Sequence, residues 1–392
     1  MKPLNSGRLI NFDNSATSFP KPENVRRAVG IAMAKYGGNP GRSGHSLSVA
    51  TAGQVFRVRK VCGEFFGAQP ENVAFTPNCT YALNMAIKGM AQYGGHIIIS
   101  GYEHNACARP VYALAKTRGV SCSMAKIYDD DSRTVEEFKR LIRRDTVCVC
   151  CIIASNVTGR ILPYKEIAEL CRRKGICFIA DGAQACGVLD LKMSDGFNFL
   201  CTAGHKALYG PSGTGLLISD GQYSLSTIIE GGTGATSAEL AQTPFLPEKM
   251  ESGSINTAGI IGLGAGLDFV RTKTVGRIFS YEKELCRLFE SGLDGIDGIK
   301  IYDREFPRAP ITAFNIGGRN SQEVAGLLSE KGFGLRGGLQ CAAVAHSTLG
   351  TLEQGVVRFS PSAFNTPQQV KALVGAVREI SKTPELADGD TP

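Results

Sequence analysis

The sequence predicts an α/β protein with a mostly parallel sheet, and three observations support that class. Short apolar runs alternate with amphipathic stretches between about residues 73 and 220, which is typical of strands and helices in alternation. Hydrophobic residues make up 43% and charged residues 20%, a balance found in globular rather than disordered chains. The 392 residues exceed the roughly 250–300 at which a single core stops growing, so two domains are expected.

The first two thirds of the chain carry the pattern of the sheet. Strand-like apolar runs lie at residues 73–75, 97–99, 147–154, 176–180, 197–201 and 215–218. Helical patterns begin at Thr80 and Asn105, and a third covers residues 164–174. The glycine-rich stretches 231–234 and 262–266 are predicted to flank a helical segment. Strand, helix and strand in repetition imply parallel strands with helices on both faces of the sheet.

The pattern changes after about residue 270. We expect a long charged helix around 277–290, a strand at 311–316, a helix from Ser321, a strand at 356–359 and a last helix from Pro367. The chain is therefore expected to have three parts. These are an N-terminal segment (1–25) that packs with the small domain, a large domain (26–270) and a small α+β C-terminal domain (271–392).

Composition argues against several functional classes. The formal net charge is +7, but no block of five or six like charges occurs, so no nucleic-acid partner is expected. Thirteen cysteines are scattered without the two C-x-x-C pairs of a tetrahedral zinc site, which predicts reduced core thiols and no metal site. No segment approaches the roughly 20 apolar residues that span a bilayer, and the N-terminus lacks a signal-peptide pattern. We expect a cytoplasmic protein with no membrane contact.

Lys206 and Asp181 are the residues that point most strongly to chemistry. Lys206 follows a strand-like run in a turn-rich stretch, where its amine could form an imine with an aldehyde cofactor. Asp181 ends an apolar strand, where a carboxylate is costly unless it meets a cation, such as a protonated pyridine nitrogen. The alternatives are that Lys206 lies in a surface loop and that Asp181 caps the next helix. Together the two residues suggest pyridoxal 5'-phosphate as cofactor.

Other polar residues follow the predicted strands, and ligands bind at such strand ends in parallel sheets. Asn156 and Gln184 could donate to a ring oxygen, and His104 has a flat face suited to stacking on a ring. Thr80 and Cys79 open a helix, whose N-terminus is an anion site suited to a phosphate. Each residue alone is as consistent with a loop or a helix cap.

The chain resembles the class V, fold type I enzymes that use pyridoxal phosphate, and among them the cysteine desulfurase family, in its group II or selenocysteine lyase-like branch. The matching stretches are residues 11–17 (NFDNSAT), 39–45 (NPGRSGH), 103–105 (EHN), 155–156 (SN), 181–184 (DGAQ), 204–206 (GHK) and 336–342 (RGGLQCA). The resemblance implies a seven-stranded, mostly parallel sheet in the large domain. It also implies a Cys341 loop in the small domain.

Carried over residue by residue, the resemblance assigns the cofactor contacts. Lys206 would form the Schiff base, Asp181 would pair with the ring nitrogen, and His104 would stack on the ring. Gln184 and Asn156 would contact the ring oxygen and the substrate. The residues implied for the phosphate are Thr80, Cys79, His205 and, reaching across a homodimer, Ser254.

The resemblance also implies the reaction and its substrate contacts. Cys341 would attack the sulfur of L-cysteine and keep it as a persulfide, releasing L-alanine, with His104 moving the thiol proton. The substrate contacts implied are Arg358, Asn156, His45 and Arg336. A thiolate needs a positive neighbour, for which Arg336 is the candidate, and the sequence around Cys341 suggests a mobile loop. A sulfur-acceptor protein is a further expected partner.

Two residues depart from the family pattern. Ala203 replaces the hydroxyl residue usual before Gly-His-Lys, and Gln340 replaces the histidine usual before the cysteine. The first departure removes a phosphate contact that Thr202 cannot supply, because adjacent strand residues face opposite ways. The second removes a proton donor or acceptor beside Cys341. The alternatives are therefore another class V activity (selenocysteine lyase, C–S lyase or aminotransferase) and a catalytically idle scaffold homologue.

Overall fold

The computed structural model describes residues 9–41, 44–234 and 237–383. Its strands are β1 (Ile10–Asn11), β2 (Val73–Thr76), β3 (His96–Ser100), β4 (Ser121–Ala125), β5 (Thr146–Ile152), β6 (Cys177–Asp181), β7 (Phe199–Ala203), β8 (Gly215–Ser219), β9 (Ile299–Tyr302), β10 (Thr312–Ile316), β11 (Phe333–Gly334) and β12 (Val357–Phe359). Its helices are α1 (Glu23–Lys35), α2 (Ser46–Phe66), α3 (Cys79–Met90), α4 (Asn105–Thr117), α5 (Asp131–Leu141), α6 (Tyr164–Lys174), α7 (Thr257–Lys273), α8 (Val275–Leu293), α9 (Ser321–Glu330), α10 (Ala343–Leu349) and α11 (Pro367–Lys382).

A seven-stranded sheet forms the centre of the molecule, in the order β2-β8-β7-β6-β5-β3-β4. Neighbouring strands from β7 through β6, β5 and β3 to β4 are parallel, and β8 runs antiparallel to both β7 and β2. The predicted α/β class with a mostly parallel sheet is confirmed.

Both faces of the sheet are buried, which explains the nearly continuous apolar character of its strands. Along β5, Val149 and Cys151 enter one hydrophobic cluster, whereas Cys148 and Cys150 enter the cluster on the opposite face. This alternation follows from the period of two in a strand. All thirteen cysteines are free, and eleven of them are buried, in agreement with the prediction of reduced core thiols.

The glycine-rich stretch 262–266 does not flank a helix but lies inside α7, so that prediction was wrong. Residues 237–256 form turns and bends instead of the expected helix. The glycines in α7 let neighbouring parts of the chain pack closely against the helix, and they do not form a turn. A Cβ atom on Gly262 would lie 2.6 Å from Cγ of Pro211 and 2.7 Å from Cγ2 of Val29 in α1, too near for any side chain.

Residues after α7 form a separate layer around a three-stranded antiparallel sheet of order β12-β10-β9. Helices α8 and α11 pack against each other beside it, and their apolar faces share one core with Phe12. Phe12 reaches that core because β1 pairs in parallel with β11. Residues 10–12 are thereby held beside the residues that follow β11. No helix in the described ranges has both the length and the apolar character needed to cross a membrane.

Candidate active site

A cavity of about 300 Å³ lies at the carboxyl edge of the central sheet, where the sequence predicted the site. Successive strand ends contribute to its wall, and residues from the C-terminal layer close it. Ten of the predicted residues line it together: Cys79, Thr80, His104, Asn156, Asp181, Gln184, His205, Lys206, Arg336 and Arg358.

Lys206 and Asp181 share this cavity, as their predicted roles require. Asp181 is only 2% exposed, and its Oδ1 accepts hydrogen bonds from the Ala183 N–H (2.9 Å) and the Cys79 thiol (3.5 Å). Burial raises the pKa of Asp181, while the positive charge of Lys206 opposes that rise.

The Lys206 amine is available for chemistry. Burial lowers its pKa from 10.5, and the Cys79 and Asp181 side chains partly oppose that effect. Among the described residues, no hydrogen bond or ion pair engages its Nζ atom. A buried amine that loses its proton readily and has no partner is suited to act as a nucleophile and as a base.

His104 caps α4, because its Nδ1 accepts a 2.9 Å hydrogen bond from the Ala106 N–H. Burial, and next the charge of Lys206, lower the pKa of His104 to about 4. The ring is therefore neutral near pH 7, with its proton on Nε2. It presents a flat face and one donor to the cavity.

The carboxamides of Asn156 and Gln184 are partly engaged by the protein. Asn156 Nδ2 donates to the Gln340 carbonyl (2.8 Å), and Gln184 Nε2 donates to the Ser15 carbonyl (3.0 Å). Each NH₂ group keeps one further hydrogen for a ligand.

The α3 N-terminus borders the cavity beside His205. Asn78 caps this helix by accepting from the Tyr81 N–H, and Thr80 is exposed at its first turn. Burial, and next the charge of Lys206, lower the pKa of His205 to about 4, so the ring is neutral. Backbone N–H groups at a helix N-terminus together with a neutral imidazole suit an anionic group such as phosphate.

Two arginines reach the cavity from the C-terminal layer, and their backbones pair across an antiparallel bridge. Arg358 is 2% exposed; its Nη2 lies 2.6 Å from Asp13 Oδ1, and its Nη1 donates to the Asn156 carbonyl. Arg336 Nη2 lies 3.7 Å from the Cys341 Sγ. Two guanidinium groups on one wall are suited to bind a carboxylate.

Cys341 is exposed and does not itself line the cavity, although Arg336 and Gln340 beside it do. The Cys341 carbonyl accepts from the Asn105 N–H (2.8 Å), and the preceding carbonyl of Gln340 accepts from Asn156. The loop is tied to two strand-end loops of the central sheet. The mobility that the nearby glycines and alanines suggested stays a prediction.

Besides Cys341, two predicted residues do not line the cavity of their own chain. His45 is exposed and caps α2 by accepting from the Ser48 N–H (3.3 Å). Ser254 lines a different cavity, with Tyr81 and Ile229. Arg42 and Ser43 of the matching 39–45 stretch lie outside the described residues.

The chain matches a family of known proteins. The family model described as Aminotransferase class-V matches residues 10–373. The chain belongs to the aminotransferase class V family. A probable cysteine desulfurase of Halalkalibacterium halodurans is 30% identical over 392 residues, covering 97% of this chain and 95% of that protein, and groups the chain with the cysteine desulfurases.

Other relatives of this class V chain agree with that grouping. The apo structure of cysteine desulfurase from Thermococcus onnurineus NA1 superposes with a TM-score of 0.87 at 28% identity, covering 96% of both chains. A probable cysteine desulfurase of Mycolicibacterium paratuberculosis is 29% identical over 389 residues. That alignment covers 97% of this chain but spans only 56% of the relative's length.

Buried polar atoms without a hydrogen-bond partner indicate whether the class V site suits a polar cofactor. Within the described ranges, Asn156 Oδ1, His205 Nδ1 and Arg358 Nε are buried and make no hydrogen bond. All three residues line the cavity. Because buried polar atoms are normally paired, three orphans around one cavity indicate that a ligand with several polar groups completes it. The residues present therefore fit such a group.

Sequence reasoning missed the N-terminal contribution to the class V site. Ser15 and Ala16 line the cavity, and Asp13 pairs with Arg358. The stretch 11–17 was noticed only as part of the resemblance, without roles. It also missed the side-chain partners of Gln340, for which no local sequence signal exists.

Proposed function

We propose that this protein is a pyridoxal phosphate-dependent cysteine desulfurase, which converts L-cysteine to L-alanine and keeps the sulfur on Cys341. One observation carries the proposal: the Lys206 amine and the buried Asp181 carboxyl line one cavity together with Arg336, and Cys341 lies beside Arg336. Relatives named cysteine desulfurase support it.

The residues that would hold pyridoxal phosphate are those already described around the cavity. Asp181 would face the ring nitrogen, His104 would stack on the ring, Lys206 would bond to the aldehyde carbon, and His205 with the α3 N-terminus would hold the phosphate. When bound, the cofactor withdraws electrons from the Cα of the amino acid.

The protein groups supply binding and proton transfer. Arg358, fixed by Asp13, and Arg336 would bind the substrate carboxylate with bidentate hydrogen bonds. The Lys206 Nζ, once free, would take the Cα proton, a role suited to an amine whose pKa burial has lowered.

Sulfur transfer is assigned to Cys341. Its thiolate would attack the substrate sulfur, so that an Sγ–S bond forms while the Cβ–S bond breaks. The electron pair of the broken bond stays with the carbon, which takes up a proton and leaves as alanine. The Nη2 of Arg336, 3.7 Å from the Sγ, would face the negative charge of the attacking sulfur.

The experiment that tests the proposal measures alanine and sulfide released from L-cysteine in the presence of a thiol reductant. We expect equal amounts of both from the wild type and neither from Cys341→Ala. Cys122→Ser, which changes the other exposed thiol, is the control and should remain active. Sulfide release that survives Cys341→Ala would favour another class V activity, such as a C–S lyase or selenocysteine lyase. Absence of any product in the wild type would favour the idle homologue.

A homodimer is part of the proposal. Ser254 lies apart from the cavity of its own chain, next to the partly exposed Tyr81 and Ile229, which suits a residue that reaches a partner's phosphate. Sedimentation of the holoenzyme should give a dimer, and Ser254→Ala should weaken cofactor retention. The division into three parts, the role of His45, the proton-shuttle role of His104, the cytoplasmic location and the sulfur-acceptor protein stay predictions.

A further inference from the structure

Cys341 lies in a backbone conformation that its residue type rarely adopts. Gln340 and Cys341 have φ values of 42° and 57°, and the Ala342 N–H closes the turn on the Leu339 carbonyl at 2.8 Å. Turns in which both central residues have positive φ strongly prefer Asn-Gly, because a Cβ atom is strained there. Gln-Cys is a costly choice for such a turn, so the surrounding structure must hold it in place.

The Gln340 side chain provides that restraint. It is 3% exposed, and its Nε2 donates to the carbonyls of Val356 (2.8 Å) and Arg336 (3.2 Å). Both amide hydrogens are thus used, and Oε1 is left to accept from His346 Nε2 at 3.0 Å.

His346 continues the network away from the cavity. It is fully buried in α10, and its Nδ1 lies 2.7 Å from Thr351 Oγ1. Because Nε2 must carry the proton to donate to Gln340, Nδ1 accepts from the threonine hydroxyl. Every polar atom of the Gln340 carboxamide is satisfied, which leaves it no role in proton transfer.

The same turn is fastened on its other side to the loops that carry the site. The Gln340 carbonyl accepts from Asn156, and the Cys341 carbonyl accepts from the N–H of Asn105, which follows His104. The turn therefore connects the C-terminal layer with two strand ends of the central sheet.

We propose that Gln340 is a positioning residue for Cys341: through Val356, Arg336 and His346 it holds the left-handed turn that places Sγ beside the Arg336 guanidinium. The consequence for turnover rests on the function proposed above. The restraint on the backbone does not. Gln340, which stands where the family pattern has a histidine, thus restrains the backbone instead of donating or accepting a proton.

Amide hydrogen exchange on the holoenzyme tests the restraint without any assay of activity. In Gln340→Met, which keeps the bulk but removes every hydrogen bond, the amides of Asn105 and Ala342 should exchange about tenfold faster or more. Gln340→Asn, which is too short to reach all three partners, should act in the same direction and serves if the first variant does not fold. Gln369→Met, in the α11 capping box, is the matched control and should leave these two amides unchanged. Unchanged exchange of Asn105 and Ala342 in the Gln340 variants would overturn the proposal.

Kinetics test the effect on the reaction. We expect kcat to fall about tenfold or more in Gln340→Met while KM for cysteine stays near the wild-type value, because the arginine and cofactor contacts remain. Faster exchange with an unchanged kcat would overturn the positioning role. A wild type without desulfurase activity would refute the proposed function, and the exchange experiment would still decide whether Gln340 restrains the turn.

Discussion

The Nη2 atom of Arg336 lies 3.7 Å from the Sγ atom of Cys341, and the two residues belong to one short segment that closes the cavity. In the proposed reaction this guanidinium would face the negative charge of the attacking sulfur. The same arginine lines the cavity with Arg358, so in the proposed function one residue would contact both the substrate and the reacting sulfur.

Replacing Arg336 by Ala should slow alkylation of Cys341 by iodoacetamide, because the positive charge 3.7 Å from the attacking Sγ is lost. Arg336→Lys keeps the charge and should retain more of the rate, although it loses the bidentate geometry. The measurement is peptide mass mapping of labelled Cys341 over time. Equal labelling rates in the wild type and Arg336→Ala would show that the contact does not activate the thiol.

Replacing Asp13 by Ala should destabilise the protein, because it leaves the buried Arg358 guanidinium without its charged partner. Loss of one member of a buried pair costs about 3–5 kcal/mol, and the partial exposure of Asp13 places the expected loss near the lower end. Urea unfolding measures the change. Asp13→Asn, whose carbonyl oxygen still accepts from Arg358, should lose clearly less, and an equal loss in both variants would argue against this interpretation.

The pairing of Asp13 with Arg358 illustrates what sequence reasoning could not reach. Strand ends, and therefore Asp181, Asn156 and Lys206, follow from local apolar periodicity. Asp13 and Arg358 are 345 positions apart, and they meet only because β1 pairs with β11 and Asp13 forms a bridge to Ser360. No local sequence pattern predicts such a contact.

The turn at Gln340 and Cys341 illustrates a second limit. Positive φ is predictable where glycine or asparagine occurs, but here it falls on other residue types, in a turn whose Gln340 side chain donates to the Val356 carbonyl and accepts from His346. The glycines of α7 were misinterpreted for the related reason that close helix packing, rather than a turn, requires them.

Glu282 should make stability depend on pH. This buried carboxyl of α8 accepts from the Tyr209 hydroxyl, and burial raises its pKa from 4.5 to about 8. Between those values the folded state holds one more proton than the unfolded state, so the unfolding free energy falls as pH rises, by about 1.4 kcal/mol per unit.

Glu282→Gln removes this contribution and keeps the acceptor for Tyr209. The variant should therefore gain stability relative to the wild type as pH rises from 5 to about 8, as measured by urea unfolding at several pH values. Burial also raises the pKa of Glu103, but it does so in the wild type and in the variant, so the contribution of Glu103 cancels when their stabilities are compared. A difference between variant and wild type that does not change with pH would refute the assignment.

His104 should remain neutral through the physiological range, since its pKa is lowered to about 4 rather than lying near 6.5. Imidazole resonances followed by NMR in histidine-labelled protein, assigned with His104→Gln, should shift only in acid. A His104 transition near pH 6.5 would show that the neutral, Nε2-protonated ring inferred from the Ala106 contact is incorrect.

The most direct test of the account is borohydride reduction of the holoenzyme followed by peptide mass mapping. We predict a pyridoxyl group fixed to Lys206, and loss of the reducible chromophore in Lys206→Ala. A pyridoxyl group on any other lysine, or a bound cofactor that borohydride does not attach to the chain, would contradict the account.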